Sequence, residues 1–269
     1  MSFPPERIVC LTEETVETLY LLGEEARIVG VSGYAVRPAR VRKEKPRVSA
    51  FISADIPKIL ALEPDLVLTF SDLQADIVAS LIREGIAVHA FNQRTVAGIL
   101  DMIRLLAAMV DAAAKGENLA AQLEARIEAV AREAESLPRR PRIYFEEWNE
   151  PMITGIGWVS ELIGIAGGID VFGSVADRKS AKDRIVAADA VIAARPDIIL
   201  GSWCGKRFRS EHVRARPGFE AIPAVRANQL HEIKSAIILQ PGPAALTDGL
   251  DAIRACIRAW AESSAARAS

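Results

Sequence analysis

"ALEPDLVLTF" (residues 61–70) and "AARPDIILGS" (residues 193–202) make the same local move at two distant points of the chain. In each, a helical turn ends, Pro-Asp follows, and a run of apolar residues leads to a small polar exit. Proline biases the residue before it away from helical geometry, so each Pro-Asp marks a helix stop followed at once by a strand. A strand that is apolar throughout is expected in a parallel sheet covered on both faces. A chain that carries this unit twice is expected to hold two similar lobes.

The surrounding sequence extends the pattern. Strands are predicted over 7–11, 27–32, 65–70 and 87–92, and helices over 13–23, 54–62 and 74–85. Gly23 and Gly85 sit where helix-ending glycines are expected, and Pro57 falls in a first turn, where proline is tolerated. From Thr95 to about Leu137 the strand signal vanishes. One amphipathic helix is predicted over 95–113, an interruption at "KGEN" (115–118), and a second helix over 119–137. Alternation then resumes, with strands over 142–148 and 197–203, helices over 158–168, 186–194 and 245–261, and a turn, loop and strand over 218–233. The expected fold is α/β: two Rossmann-like lobes with parallel sheets, joined by a single long helix, with a ligand cleft between the lobes. The expected boundaries are 1–94 for the first lobe, 95–140 for the helical connector and 141–269 for the second lobe.

Bulk properties remove several function classes. The 269 residues suffice for two cores, and the net charge of -2 creates no field for nucleic acid or an anionic membrane. The basic run "RPARVRKEKPR" (37–47) reads as a solvated loop. Cys10, Cys204 and Cys256 are odd in number and widely spaced, which supports neither a disulfide framework nor a zinc site. His89, His212 and His231 lack metal-ligand spacing. No Gly-rich phosphate loop, G-x-S-x-G or H-E-x-x-H motif occurs. No apolar run reaches membrane-spanning length. The N-terminus enters a strand without the pattern of an export signal. As written the chain is expected in the cytoplasm as a monomer, or in the periplasm if a signal has been removed.

In open α/β sheets ligands bind beyond the carboxyl ends of the strands. The residues expected there are Thr12 and Glu13; Tyr34; Phe70, Ser71 and Asp72; Trp148; and Trp203, Cys204 and Lys206, with Phe51, Trp158 and Phe208 in nearby loops. Large rings at loop positions suit a large flat or apolar ligand. "EEWNE" (146–150) supplies Glu146, Glu147 and Glu150, which an enzyme could use as acid and base.

"RIVCLTEETVETLYLLGEEARIVGVSGYAVRP", "DIPKILALEPDLVLTF", "GIAGGIDVF", "ADAVIAARPDIIL" and "PGFEAIPAVRANQLHEI" together resemble the helical-backbone substrate-binding proteins of ABC importers, over about residues 7–260. "SGYAVRP" and "SAFISADI" resemble the cobalamin-binding members in particular. The resemblance implies a non-catalytic binder of a metal chelate, a corrinoid first, with Tyr34, Phe51, Phe70, Trp148, Trp158 and Trp203 lining the pocket. It implies no catalytic cofactor. Haem, with Tyr34 as axial ligand, or a ferric siderophore, held by Arg37, Lys206, Arg207 and Arg209, is the alternative. Family members dock on a permease through a glutamate seven residues before each Pro-Asp proline. Here those positions hold Pro57 and Asp189, with Asp55 near the first.

Overall fold

Two units share the chain. One comprises the residues up to Gln93 together with Ala97–Leu123; the other comprises Arg94–Val96 and the chain from Glu124 onward. The computed structural model describes residues 3–265. The first unit runs β1 (Ile8–Cys10), α1 (Glu13–Leu22), β2 (Ile28–Ser32), α2 (Val41–Glu44), β3 (Arg47–Ser49), α3 (Ile56–Leu60), β4 (Leu66–Phe70), α4 (Ala75–Arg83), β5 (Val88–Phe91) and α5 (Val96–Met109). The helix α6 (Ala113–Ala134) has its first half in this unit and its second half in the other. There follow β6 (Arg142–Asn149), β7 (Met152–Thr154), α7 (Gly157–Ile165), β8 (Ile169–Asp170), α8 (Ala188–Ala194), β9 (Ile198–Gly201), α9 (Ser210–Arg214), α10 (Pro223–Arg226), β10 (Leu230–Glu232), α11 (Ser235–Ile238) and α12 (Leu250–Ala265).

The first sheet is parallel throughout, in the order β3-β2-β1-β4-β5, with the first strand of the chain at its centre. The second has the order β10-β9-β6-β7, with β8 also on β6. Its strands are parallel except β7, which returns antiparallel along the end of β6. The centre of each sheet is apolar because helices cover it. Val9, Leu11, Val67 and Leu81 anchor one core, and Tyr144, Ile199, Trp203 and Phe219 the other.

The repeated Pro-Asp step explains why the two units look alike. Glu63 and Arg195, each before its proline, stand in the left-handed region at φ 46° and 47° and stop the preceding helix. The aspartate then receives the backbone of the adjacent strand. Asp65 accepts from the N–H groups of Glu6 and Arg7 at 2.8 and 3.1 Å. Asp197 accepts from the N–H of Arg142 at 2.9 Å and from the Arg139 guanidinium at 2.9 Å. The arginine that opens that adjacent strand reaches back the other way. Arg7 donates to the carbonyls of Leu62 and Glu63, and Arg142 to that of Ala194 at 2.9 Å, which occupies carbonyls left open at a helix end. Helix stop, strand start and neighbouring strand are thus tied by one Arg–Asp exchange in each unit.

Two local expectations are corrected. The helical break lies at 110–112, where Asp111 has φ 59°, and α6 runs through "KGEN" without interruption. Gly116 is there for packing: a Cβ on it would lie 2.2 Å from the Cβ of Ala107 in α5. The basic run 37–47 is not a free loop, since it forms α2 and opens β3. Lys45 donates to the carbonyls of Glu25 and Ile28 at 2.7 Å, and Arg37 to Glu17 at 2.8 Å.

Replacing either aspartate of the repeat strips acceptors from backbone groups at the base of a sheet. Asp65→Ala and Asp197→Ala are each expected to lower stability by about 1–3 kcal/mol, read as a shifted urea midpoint. A midpoint within error of wild type in both variants contradicts the role given to the exchange.

Candidate functional site

The carboxyl ends of β1, β3 and β4 converge on one buried side chain that sequence reasoning missed. Gln74, fully buried, accepts from the N–H of Phe70 at 3.1 Å and donates to the carbonyls of Phe51 at 2.8 Å and Leu11 at 3.3 Å. It therefore holds the loop after β3 over the ends of β1 and β4, and brings together the stretches that contain Thr12, Glu13, Phe51, Phe70, Ser71 and Asp72. Phe70 is buried against the sheet. Ser71 is also buried, with φ 67°, and its Oγ accepts from the N–H of Leu73 at 3.3 Å. Asp72 is exposed and Phe51 half-buried. Tyr34, just past β2, is half-exposed. Ile52 and Leu73 are exposed beside these residues at 71 % and 60 %, and no periodicity marks them out in sequence.

The same edge carries two adjacent acids, Glu14 buried and Glu13 half-buried. Thr12 ends the run out of β1 and donates its hydroxyl to Glu14 Oε1 at 2.5 Å. Glu14 is 1 % exposed. Burial pushes the Glu13 carboxyl up to about 7 and the Glu14 carboxyl up to about 8, since the charged forms lose their hydration. The Oε2 atoms of both have no hydrogen-bond partner. Burial likewise pushes the Cys10 thiol up to about 12, consistent with a packing cysteine.

In the second unit the edge is built on ion pairs. The buried carboxylate of Glu146 accepts from Tyr144 Oη at 3.0 Å, Trp203 Nε1 at 2.8 Å, and both terminal nitrogens of Arg216 at 2.5 and 2.9 Å. Glu147 is held by Arg184 at 2.7 and 3.2 Å. Two of the three "EEWNE" carboxylates are thus engaged in two-pronged pairs that hold the strand ends. Sequence could not supply Arg184 and Arg216 as partners, because they lie 37 and 70 residues away.

The aromatic residues separate by burial. Trp148 is half-buried, with the Lys206 ammonium 3.6 Å above its ring and its indole N–H on the carbonyl of Glu150 at 2.7 Å. Trp203 lies beneath the same lysine, 5.5 Å from it, but is only 2 % exposed and packs edge-on against Phe208. Trp158 lies on α7 inside the unit, 2 % exposed, with its N–H on the carbonyl of Ile238 at 2.8 Å. Cys204 is exposed between Trp203 and Lys206 in sequence. So Trp148 and Lys206 offer a surface, Trp203 lies buried within reach of the same ammonium, and Trp158 belongs to the interior.

Buried polar atoms without partners recur at strand ends. Besides the two glutamates they include Ser49 Oγ at the end of β3, Asn149 Oδ1 at the end of β6 and Ser202 Oγ just past β9. Others, such as Arg254 Nε, lie elsewhere. Among the described residues no helix is long and apolar enough to cross a membrane.

Comparison with known proteins gives one consistent picture. A family model described as periplasmic binding protein matches residues 8–237. The vitamin B12-binding protein of Vibrio campbellii is 26% identical over 246 residues, covering 88% of this chain and 84% of its own length. Among solved structures, the periplasmic haem-binding protein of Roseiflexus sp. RS-1 is 25% identical, with a TM-score of 0.80 over 94% of this chain and 99% of its own. The periplasmic vitamin B12-binding protein of Vibrio cholerae is 24% identical, with a TM-score of 0.76 over 96% and 99%.

Two stability measurements follow from the site. The Glu13 and Glu14 carboxyls titrate higher in the folded chain than their ordinary value of 4.5, so the folded state holds protons that the unfolded state has released. The stabilisation linked to this pair is whole below about pH 4.5 and is lost as pH rises towards about 8. Glu14→Gln is expected to lose less thermal stability than wild type between about pH 6 and pH 9; parallel curves would show the carboxyl to be without effect. Trp203→Ala empties a buried site and leaves Glu146 short of a donor. It is expected to cost about 3–5 kcal/mol, and a cost near zero in denaturant melts would place the ring at the surface.

Proposed function

The chain belongs to the periplasmic binding protein family, and on that premise we propose that it is a non-catalytic receptor for a large metal chelate, a corrinoid of the cobalamin type. One structural observation carries the reading beyond the family. The carboxyl ends of the strands gather solvent-facing rings and apolar tips with buried polar atoms that lack partners: Tyr34, Phe51, Ile52 and Leu73 with Glu13 and Glu14 in one unit, Trp148 with Asn149 and Ser202 in the other. A corrinoid has a broad apolar ring face and a rim of amides. Rings and aliphatic tips suit the face, and unpartnered buried oxygens suit the rim. The similarity to Vibrio vitamin B12-binding proteins supports the same choice.

A receptor of this kind needs no acid–base machinery. Glu146 and Glu147 work as anchors of strand ends, each neutralised by an arginine. The hubs at Gln74 and Glu146 fix the edges before a ligand arrives, and pre-organisation of that sort reduces the ordering lost on binding.

Haem is the second reading, since the Roseiflexus relative binds it and Tyr34 presents a half-exposed phenol. The proposed partner is the permease of an ABC importer. Of the acids near the expected docking positions, Asp55 accepts from the N–H of Lys58 at 3.0 Å and so caps α3, whereas Asp189 lies in the first turn of α8. Asp189 is the acid left to serve a permease. The family's name gives its compartment as the periplasm; fractionation of cells that carry the natural gene tests export of this chain.

Calorimetric titration with cyanocobalamin at tens of micromolar is expected to give saturable heat, and Trp148→Ala to weaken binding by about 1–3 kcal/mol at unchanged melting temperature. Heat absent with cyanocobalamin, but a Soret shift with haemin that Tyr34→Phe abolishes, would move the assignment to haem.

A further inference from the structure

Lys206 is exposed, yet it has no carboxylate partner among the described residues and lies instead 3.6 Å from the centre of the Trp148 ring. The backbone sets this placement. Past β9, the N–H of Ser202 donates to the carbonyl of Glu146 at 2.9 Å, and that of Cys204 to the carbonyl of Glu147 at 3.3 Å, so the turn is stitched to the end of β6. Gly205, at φ 73°, carries the turn round, and the N–H of Lys206 donates to the carbonyl of Trp203 at 3.2 Å. The base of the lysine is thus fixed beside Trp148, and its stem is free to move. The nearby acids are already engaged. Glu146 pairs with Arg216 and Glu147 with Arg184, while Glu232 accepts from Lys234 and from the N–H of Phe208. What stands exposed beyond β6 and β9 is Glu150 against Lys206, Arg207 and Arg209, the last 4.0 Å from Glu211. An aromatic face beside a surplus of cations suits a flat ligand with an anion on its edge.

We propose that Lys206 is a latch that changes partner on binding: a ring stacking on Trp148 displaces the ammonium, which then takes a phosphate on the edge of the ligand. This rests on the corrinoid reading and deepens it, because it chooses among corrinoids. Amides rim the corrin ring, and the phosphodiester of the nucleotide side chain is the anion a complete cobalamin carries. A corrinoid that ends in a free alcohol displaces the same ammonium and leaves it to water alone. One that carries the phosphate replaces the lost ring contact with a charge-assisted hydrogen bond. Selection is then the difference between two displacements that are alike except for this bond. Lysine suits the task, since its ammonium is a compact charge on a long flexible stem.

The test uses dicyanocobinamide and its phosphate ester, which share ring, cobalt and amides and differ by the phosphate. Wild type is expected to bind the ester about fivefold more tightly in calorimetric titration, the scale of a partly exposed ion pair. In Lys206→Met, which keeps an unbranched apolar stem without the charge, the ratio is expected to fall towards one. Arg207→Gln removes the same charge one residue on and is expected to lower the ratio less. Both residues are exposed, so both variants are expected to melt with wild type. A ratio near one in wild type, a ratio unchanged in Lys206→Met, or an equal fall in Arg207→Gln, which would make the effect one of net charge, overturns the inference and leaves the corrinoid reading standing. Failure of wild type to bind either corrinoid at tens of micromolar overturns both.

Discussion

An aspartate that receives the backbone of the strand beside it governs each unit. The carboxylates of Asp65 and Asp197 take N–H groups of Arg7 and Arg142, and those arginines close the helix ends that precede the aspartates. Because side chains alternate along a strand, a slip of one residue would turn every core residue outward. The exchange fixes register at the base of the sheet, so β1 meets β4 at Ile8–Leu66 and β6 meets β9 at Ile143–Ile198. Parallel strands in register at the base send their carboxyl ends to the same edge of the sheet. The loops at the opposite end then leave the sheet side by side, which is the condition for any shared site there.

The two edges are finished with opposite electrostatics. In the first unit a neutral amide, Gln74, ties the strand ends together, and burial raises the nearby Glu13 and Glu14 carboxyls to about 7 and about 8. In the second, full ion pairs do the tying, Glu146 with Arg216 and Glu147 with Arg184, and Lys206, Arg207 and Arg209 stand exposed beyond them. A buried pair of this kind adds little net stability over apolar packing, but leaving one partner alone is costly. Its use here is positional, since four donors converge on one carboxylate and define where β6 and β9 end.

The architecture was legible because it is written locally. Pro-Asp, helix-stopping glycines and unbroken apolar runs act within a few residues, and they predicted the elements of both sheets apart from the short β3, β7 and β8. What failed was long-range or directional. Gly116 looked like a breaker until Ala107 was seen to need its missing side chain. Trp158 and Trp203 were expected to line a pocket because they stand at a helix start and a strand exit, yet a ring at such a place can face either way. Their indole N–H groups found buried acceptors in Ile238 and Glu146, partners that only the fold supplies. Gln74 carried no signal at all, since a single glutamine in a turn has no pattern until three strand ends arrive around it.

Trp148 shows how burial and charge combine at such an edge. The Lys206 ammonium covers its ring at 3.6 Å and stands 5.5 Å from the buried ring of Trp203. A cation over an exposed ring contributes about 0.5–1 kcal/mol, so a flat ligand can displace it at small cost. Stacking of a ring against an aromatic side chain contributes about 0.5–1.5 kcal/mol beyond the area it buries, which matches or exceeds what the lysine held. Lys206 has a flexible stem and needs only to swing aside. Until then it keeps the indole oriented and its face shielded from unspecific apolar contacts.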